Sequence, residues 1–218
     1  INNLMGYPEF FKLAKEYKIS PLFGMKTYLD DNEVNLYALN EKGYENLIKI
    51  SYFISKNRCR TSINGTFSLT DELSLDGLAC IISSASPLFL ESDEHELSKS
   101  LLELDDAFNK HFYVGIECYQ KADLHVKKVR DFLIKHPFKS IAFPLVKYIK
   151  ADEDIKLKLL DAIKNDYKLD FESETDTSGN GEFYLRSEVE FETLYTAQEI
   201  LETHKLHSLS SFNFKQKR

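Results

Sequence analysis

The run Gly77-Leu78-Ala79-Cys80-Ile81-Ile82 is short and wholly apolar, the pattern of a strand buried inside a parallel sheet. Strand-like and helix-like segments alternate on both sides of it. Repeated strand-then-helix order predicts a sheet of mostly parallel strands with helices outside, and a closed or nearly closed barrel is the natural form for so many units on one chain. The fold class expected is therefore α/β. No sequence repeat of fixed period accompanies the alternation.

Pro8 to Tyr17 sets Phe10, Leu13, Ala14 and Tyr17 on one helical face. Ser20-Pro21 breaks that helix, and Leu22 to Leu29 reads as a strand. Asp30-Asp31-Asn32 is a turn before a second strand, Glu33 to Leu39. Asn40 suits the N-cap of a helix over Tyr44 to Ser55, striped by Leu47, Ile48 and Phe53. Arg58 to Phe67 is polar, and its Asn64-Gly65 signals a loop. Beyond the apolar run, Leu97 to Phe108 is helical, Phe112 to Tyr119 β-like, Asp123 to Lys135 helical and Ser140 to Ile149 β-like again. Asp152 is placed to cap a further helix with Ile155, Leu159, Leu160 and Ile163 on one face. Asp170 to Gly181 reads as a polar loop and Glu188 to His204 as a last helix with an irregular tail.

At 218 residues, 43% of them hydrophobic, the chain suits one large domain spanning 1–218 better than two small ones. A net charge of −7 argues against a broad basic face for nucleic-acid backbone, and Lys215, Lys217 and Arg218 are a solubilising tail by default. Cys59, Cys80 and Cys118 are odd in number and far apart, which fits reduced thiols of a cytoplasmic protein. No run approaches a membrane span. The chain opens at Ile1 and in mid-pattern, as a piece of a longer chain would.

Candidate chemical groups are scattered. His95 and His125 fall in or beside helices and His136 follows one. His111 completes the six with His204 and His207, which end the last helix three apart. Surface or capping roles are the default for each, and two histidines alone make a weak metal site. Asp105-Asp106 and Asp152-Glu153-Asp154 point adjacent carboxylates in different directions, as on a solvated helix. Gly179-Asn180-Gly181 lacks the lysine of a phosphate loop. Ser83, Ser84 and Ser86 follow a buried strand, where catalytic groups often lie, but no nucleophile-elbow pattern surrounds them. These residues alone support an α/β domain with no visible catalytic centre.

Several phrases carry a resemblance. Asn2 to Phe11, Ile19-Ser20-Pro21-Leu22-Phe23-Gly24, Leu39 to Ser51, Gly77 to Ile82 and Gly181 to Glu188 follow, in order and spacing, segments of the PHP (polymerase and histidinol phosphatase) domains of bacterial DNA polymerase III alpha subunits. The stretch Leu39-Asn40-Glu41-Lys42-Gly43-Tyr44-Glu45-Asn46-Leu47-Ile48-Lys49-Ile50-Ser51 is the most specific of them.

The resemblance implies a distorted (β/α)7 barrel whose mouth, in competent members, holds metal ions on His, Asp, Glu and Cys side chains and hydrolyses phosphoesters. It implies that the first strands precede Ile1. It sets Ile1 at a histidine position, Lys26 at a glutamate position, Ser83 or Ser84 in the cysteine region, Tyr119 at a strand-end histidine, and Leu145 and Lys147 in place of a final Asp-x-His. Glu33 is the one candidate ligand left. An ammonium repels the ion it replaces, so Lys26 and Lys147 could fill the old metal position and hold Glu33 or Glu117. The expectation is a degenerate PHP domain with no catalytic residue, metal or cofactor of its own. It would brace the palm and thumb of a Mg-dependent DNA polymerase, touch other replisome subunits, and contact nucleic acid little and membrane not at all. The alternatives are a Zn- or Mn-dependent phosphoesterase or 3′–5′ proofreading exonuclease, and a free-standing domain with an unrelated binding role.

Overall fold

A computed structural model describes residues 4–30, 32–57, 66–120, 123–166 and 182–210. Its first helix, α1 (Tyr7–Glu16), has Pro8 in its first turn, where a missing N–H costs nothing. Two strands follow as a hairpin, β1 (Gly24–Leu29) and β2 (Asn32–Ala38), with Asp30 at φ 51 in the turn. The Asn40 carboxamide accepts the Gly43 N–H at 3.0 Å and caps α2 (Glu41–Asn57) as its sequence predicts. Next come β3 (Thr66–Phe67), β4 (Leu78–Ser83), the short α3 (Pro87–Glu91) and α4 (Glu94–Ala107). Asp93 caps α4 through two backbone N–H groups. Then follow β5 (Phe112–Ile116), α5 (Leu124–Lys135), β6 (Ser140–Ala142), α6 (Asp154–Asn165), α7 (Glu188–Leu194) and α8 (Ala197–Leu209).

The six strands form one sheet in the order β3-β1-β2-β4-β5-β6. β2 is antiparallel to β1 and β4, while the β1–β3, β4–β5 and β5–β6 pairs are parallel. Five strands therefore run one way and β2 the other, because a two-residue turn can return the chain only antiparallel. One face carries the main core. Leu47, Ile50 and Ile54 of α2, Leu97 and Leu101 of α4, and Val126 and Val129 of α5 pack on Leu36, Cys80, Ile82 and Val114. Burial of each such side chain stabilises by about 1.5–3 kcal/mol. The opposite face gathers Ala79, Ile81, Tyr113 and Ile141 under Leu206 of α8. The Thr203 hydroxyl of α8 accepts the Ala142 N–H at 3.0 Å and so covers part of the β6 edge.

Several elements differ from expectation. Thr66–Phe67, expected in a loop, is a short strand beside β1. The stretch expected as a strand over Ser140 to Ile149 keeps only Ser140–Ala142 in the sheet. Pro144 cannot donate to a ladder, and the chain instead pairs Lys147 N–H with Phe183 O (2.8 Å) and Leu185 N–H with Tyr148 O (3.0 Å). Asp152 does not cap α6 but lies in a 3-10 turn, Ala151–Glu153, ahead of it. The helix expected over Glu188 to His204 is two helices. Ser187 with Glu190 and Thr196 with Glu199 each form a capping box, so the second box starts a new helix. The apolar face of α6 is turned outward, with Ile155, Leu159, Leu160 and Ile163 from 39% to 70% exposed. On α1, Ala14 is buried while Phe10, Leu13 and Tyr17 are exposed.

Candidate functional site at the strand ends

β4 and β5 end side by side, and the residues past their ends hold one another. The Ser83 hydroxyl donates to Glu117 Oε1. The Tyr119 hydroxyl donates to Glu117 Oε2 at 2.7 Å and accepts the Leu145 N–H at 3.2 Å. Ser84, fully buried, accepts the Glu117 N–H at 3.0 Å, and its carbonyl takes the His125 Nε2 proton at 2.7 Å. A carbonyl can only accept, which fixes that imidazole nitrogen as the protonated one. Burial, and then the hydrogen bond to Glu117, push the Tyr119 hydroxyl far above its ordinary pKa, so it stays a donor.

On the neighbouring hairpin a second carboxylate is held in the same manner. Lys26 Nζ lies 2.6 Å from Glu33 Oε1, and the Tyr28 hydroxyl lies 3.5 Å from Glu33 Oε2. The β2–β4 register pairs Val34 with Ile82. One step further along that register is Glu33 against Ser83, and residues directly opposite in an antiparallel pair share a face. A row thus crosses the sheet: Lys26, Glu33, Ser83, Glu117, Tyr119 and the Leu145 backbone. Both oxygens of each carboxylate already face a donor from the chain.

The sequence-derived positions divide accordingly. Lys26, Glu33, Ser83 and Tyr119 belong to the row, and Leu145 joins it through its backbone. Lys147 does not hold Glu117: its ammonium lies 4.2 Å from the centre of the Phe183 ring, which packs edge-on against Tyr119. Ile1 lies outside the described residues, as do Cys59, Gly179 to Gly181 and the basic tail. The sequence marks Glu117 only as a carboxylate that a lysine could hold. The signal available for it was its place just after the apolar run of β5. Nothing in the sequence alone singles out Tyr28 or Arg186. Arg186 pairs with Glu182 and donates to the Tyr119 carbonyl at 3.1 Å.

Apart from His125, the described histidines lie elsewhere. His136 ends α5, stacked on Phe132, with Glu94 and Ser98 beside its ring nitrogens. They line a surface groove of about 630 Å³ outside the sheet. His207 reaches the Ser20 carbonyl at 3.2 Å. The acidic clusters serve the chain: Lys110 bridges Asp105 and Asp106, and Glu153 takes Lys156 and two backbone N–H groups. Cys80 and Cys118 are buried free thiols, both pushed up by burial. Among the described residues no group of three or more His, Cys, Asp and Glu side chains is placed to hold a metal ion, and no helix is long and apolar enough to cross a membrane.

A model of the PHP domain family matches residues 1–119. Among curated proteins the chain is similar to the DNA polymerase III subunit alpha of Chlamydia trachomatis serovar D. The two are 24% identical over 179 residues, an alignment covering 70% of this chain and 14% of that protein. The chain therefore spans a small part of the relative's length.

Proposed function

From the premise that the chain belongs to the PHP domain family, we propose that it is a non-catalytic PHP domain, acting as a structural and interaction module of a bacterial replicative DNA polymerase III alpha subunit. The observation that carries this reading is the state of Glu33 and Glu117, each with both oxygens engaged by the chain's own donors. A metal centre needs several deprotonated side chains converging on one ion. The donor set here does not fit one. Lys26 brings a positive charge, Ser83 and Tyr119 bring protonated hydroxyls, and Leu145 and Lys147 bring no ligand atom. Activation of water for phosphoester hydrolysis has no group to perform it in this row.

In this reading the domain spans residues 1–218 and is one piece of a longer, cytoplasmic chain. Its contacts are with the palm and thumb of that polymerase and with other replisome subunits. Binding Mg and nucleotides falls to the rest of the chain. The net charge of −7 supports little direct contact with DNA. The test is digestion of a 3′-labelled oligonucleotide and hydrolysis of p-nitrophenyl phosphate by the purified protein, with 1 mM MnCl2 or ZnCl2. No turnover above buffer is expected. Metal-dependent digestion that scales with protein concentration would establish the phosphoesterase or exonuclease instead.

A further inference from the structure

We propose that Ser98 is an activated hydroxyl that takes an acyl group from an activated ester, with His136 as its general base and Glu94 as the residue that orients the base. The three side chains come from two helices. Glu94 and Ser98 stand four apart on one face of α4, and His136 ends α5. Ser98 Oγ lies 3.3 Å from His136 Nδ1, and His136 Nε2 lies 3.2 Å from Glu94 Oε1. Hydrogen bonds from His136 and then from Lys135 hold the Glu94 carboxyl below its ordinary pKa, so it stays an anion that can only accept. In the neutral ring Nε2 therefore carries the proton, and Nδ1 offers its lone pair to the Ser98 hydroxyl.

Ser98 departs from what other helical hydroxyls in this chain do. Ser55 donates to the Ser51 carbonyl at 2.8 Å and Thr203 to the Glu199 carbonyl at 2.7 Å, the usual partner one turn back. The Ser98 hydroxyl has the imidazole as its partner instead. That ring is held in place, stacked on Phe132 with 4.4 Å between centroids. Ser98, His136 and Glu94 all line the surface groove of about 630 Å³, where Leu102 supplies an apolar wall for a small acyl group. Lys99 and His95 line it too, and among the described residues no partner engages either side chain, so both are donors available to an acyl oxygen as it gains charge. In the step itself the Ser98 oxygen bonds to the acyl carbon as its proton passes to Nδ1. The ester C–O bond then breaks, and the proton passes on to the leaving oxygen. Glu94 is 56% exposed, so water and salt compete for its charge and the activation is modest.

The experiment treats the purified protein with p-nitrophenyl acetate and maps the acetyl groups by peptide mass spectrometry, with Ser55 as the internal reference. Ser98 should be acetylated at least about tenfold faster than Ser55, short of the ~10²–10⁴ that a general base contributes in an enclosed site. His136→Gln should bring Ser98 down to the Ser55 rate. Glu94→Leu should lower the rate as well, and Glu94→Gln, whose amide oxygen still accepts the Nε2 proton, should restore part of it. Circular dichroism checks that each variant is folded; should His136→Gln unfold, the two Glu94 variants carry the test. Ser98 labelled no faster than Ser55 would overturn the proposal, as would a Ser98 rate indifferent to His136→Gln or to Glu94→Leu. None of these outcomes bears on the scaffold reading, which concerns the strand ends and fails on nucleolytic turnover.

Discussion

The backbone carbonyl of Gly77 lies against Gly43 so closely that a Cβ on Gly43 would overlap the oxygen. Gly77 itself has φ +73, a conformation L side chains rarely adopt, and its carbonyl accepts the Leu39 N–H at 2.8 Å. Helix α2 thus docks backbone to backbone on the turn that launches β4, the central buried strand. Gly43→Ala should lower stability by about 3 kcal/mol, since the clash is with main chain that cannot swing aside. For a domain of this size that is a fall in Tm of roughly 6–12 °C by calorimetry. Gly6→Ala, where a Cβ meets open space, is the control and should shift Tm by less than about 2 °C. An equal effect at the two glycines would remove the steric explanation.

Asn46, three residues on from Gly43, is buried and clamps the same turn. Its carboxamide donates to Ser74 Oγ at 3.2 Å and to Asp76 O at 2.9 Å. Asn46→Ala strips two acceptors of their donor and should cost about 1–3 kcal/mol in urea unfolding. Hydrogen exchange should quicken at Leu78, whose N–H bonds to Leu75 within that turn. A variant as stable as the wild type would mean water replaces the carboxamide without loss.

These two residues show why the fold was legible in the sequence. The phrase from Leu39 to Ser51, which resembles the family most closely, contains the docking device: Asn40 caps, Gly43 allows contact, Asn46 clamps and Leu47 fills the core. The strands β1, β2, β4 and β5 were legible because apolar runs and alternation are local signals. The direction of β2 was not marked in the expectation of a mostly parallel sheet, although Asp30-Asp31 already implied a tight return. The split between α7 and α8 was missed although both capping boxes are visible as Ser187 with Glu190 and Thr196 with Glu199. The faces of α1 and α6 were misjudged for a different reason: amphipathicity says which side is apolar, not what covers it. At the strand ends the Lys26–Glu33 pair was anticipated. The Ser83–Glu117–Tyr119 links were not, because they join residues far apart in sequence.

His111 gives a pH dependence with a defined sign. Burial first, and then the Lys139 charge, hold its imidazole below the usual histidine pKa, and its Nδ1 is buried without a partner. The folded state therefore resists a proton that the unfolded chain accepts near pH 6.5. Stability from the neutral ring is fully present above that pH and is lost progressively as the pH falls through the lower folded-state value. Between pH 7.5 and 5 the Tm of wild type should drop more than that of His111→Leu. The two curves should converge on the acid side, and parallel curves would show that other groups carry the acid sensitivity.

Arg130 and Glu199 tie α5 to the junction of α7 and α8. The guanidinium meets both carboxylate oxygens, at 2.8 and 2.7 Å, and its Nη2 also reaches the Leu194 carbonyl at 3.0 Å. Glu199 takes the Thr196 N–H as well, closing the capping box that starts α8. The two partners are unequally buried, with side chains 27% and 3% exposed. Removing the arginine strands a buried charge, while removing the carboxylate leaves a guanidinium that can turn to water. Arg130→Met should therefore cost about 3–5 kcal/mol, and Glu199→Gln distinctly less. The double variant should be more stable than the sum of the two losses implies, because neither charge is then left alone. Urea unfolding of the four proteins measures all three quantities. Equal single-variant losses that simply add would mean the pair acts through packing, with the charges contributing nothing to the junction.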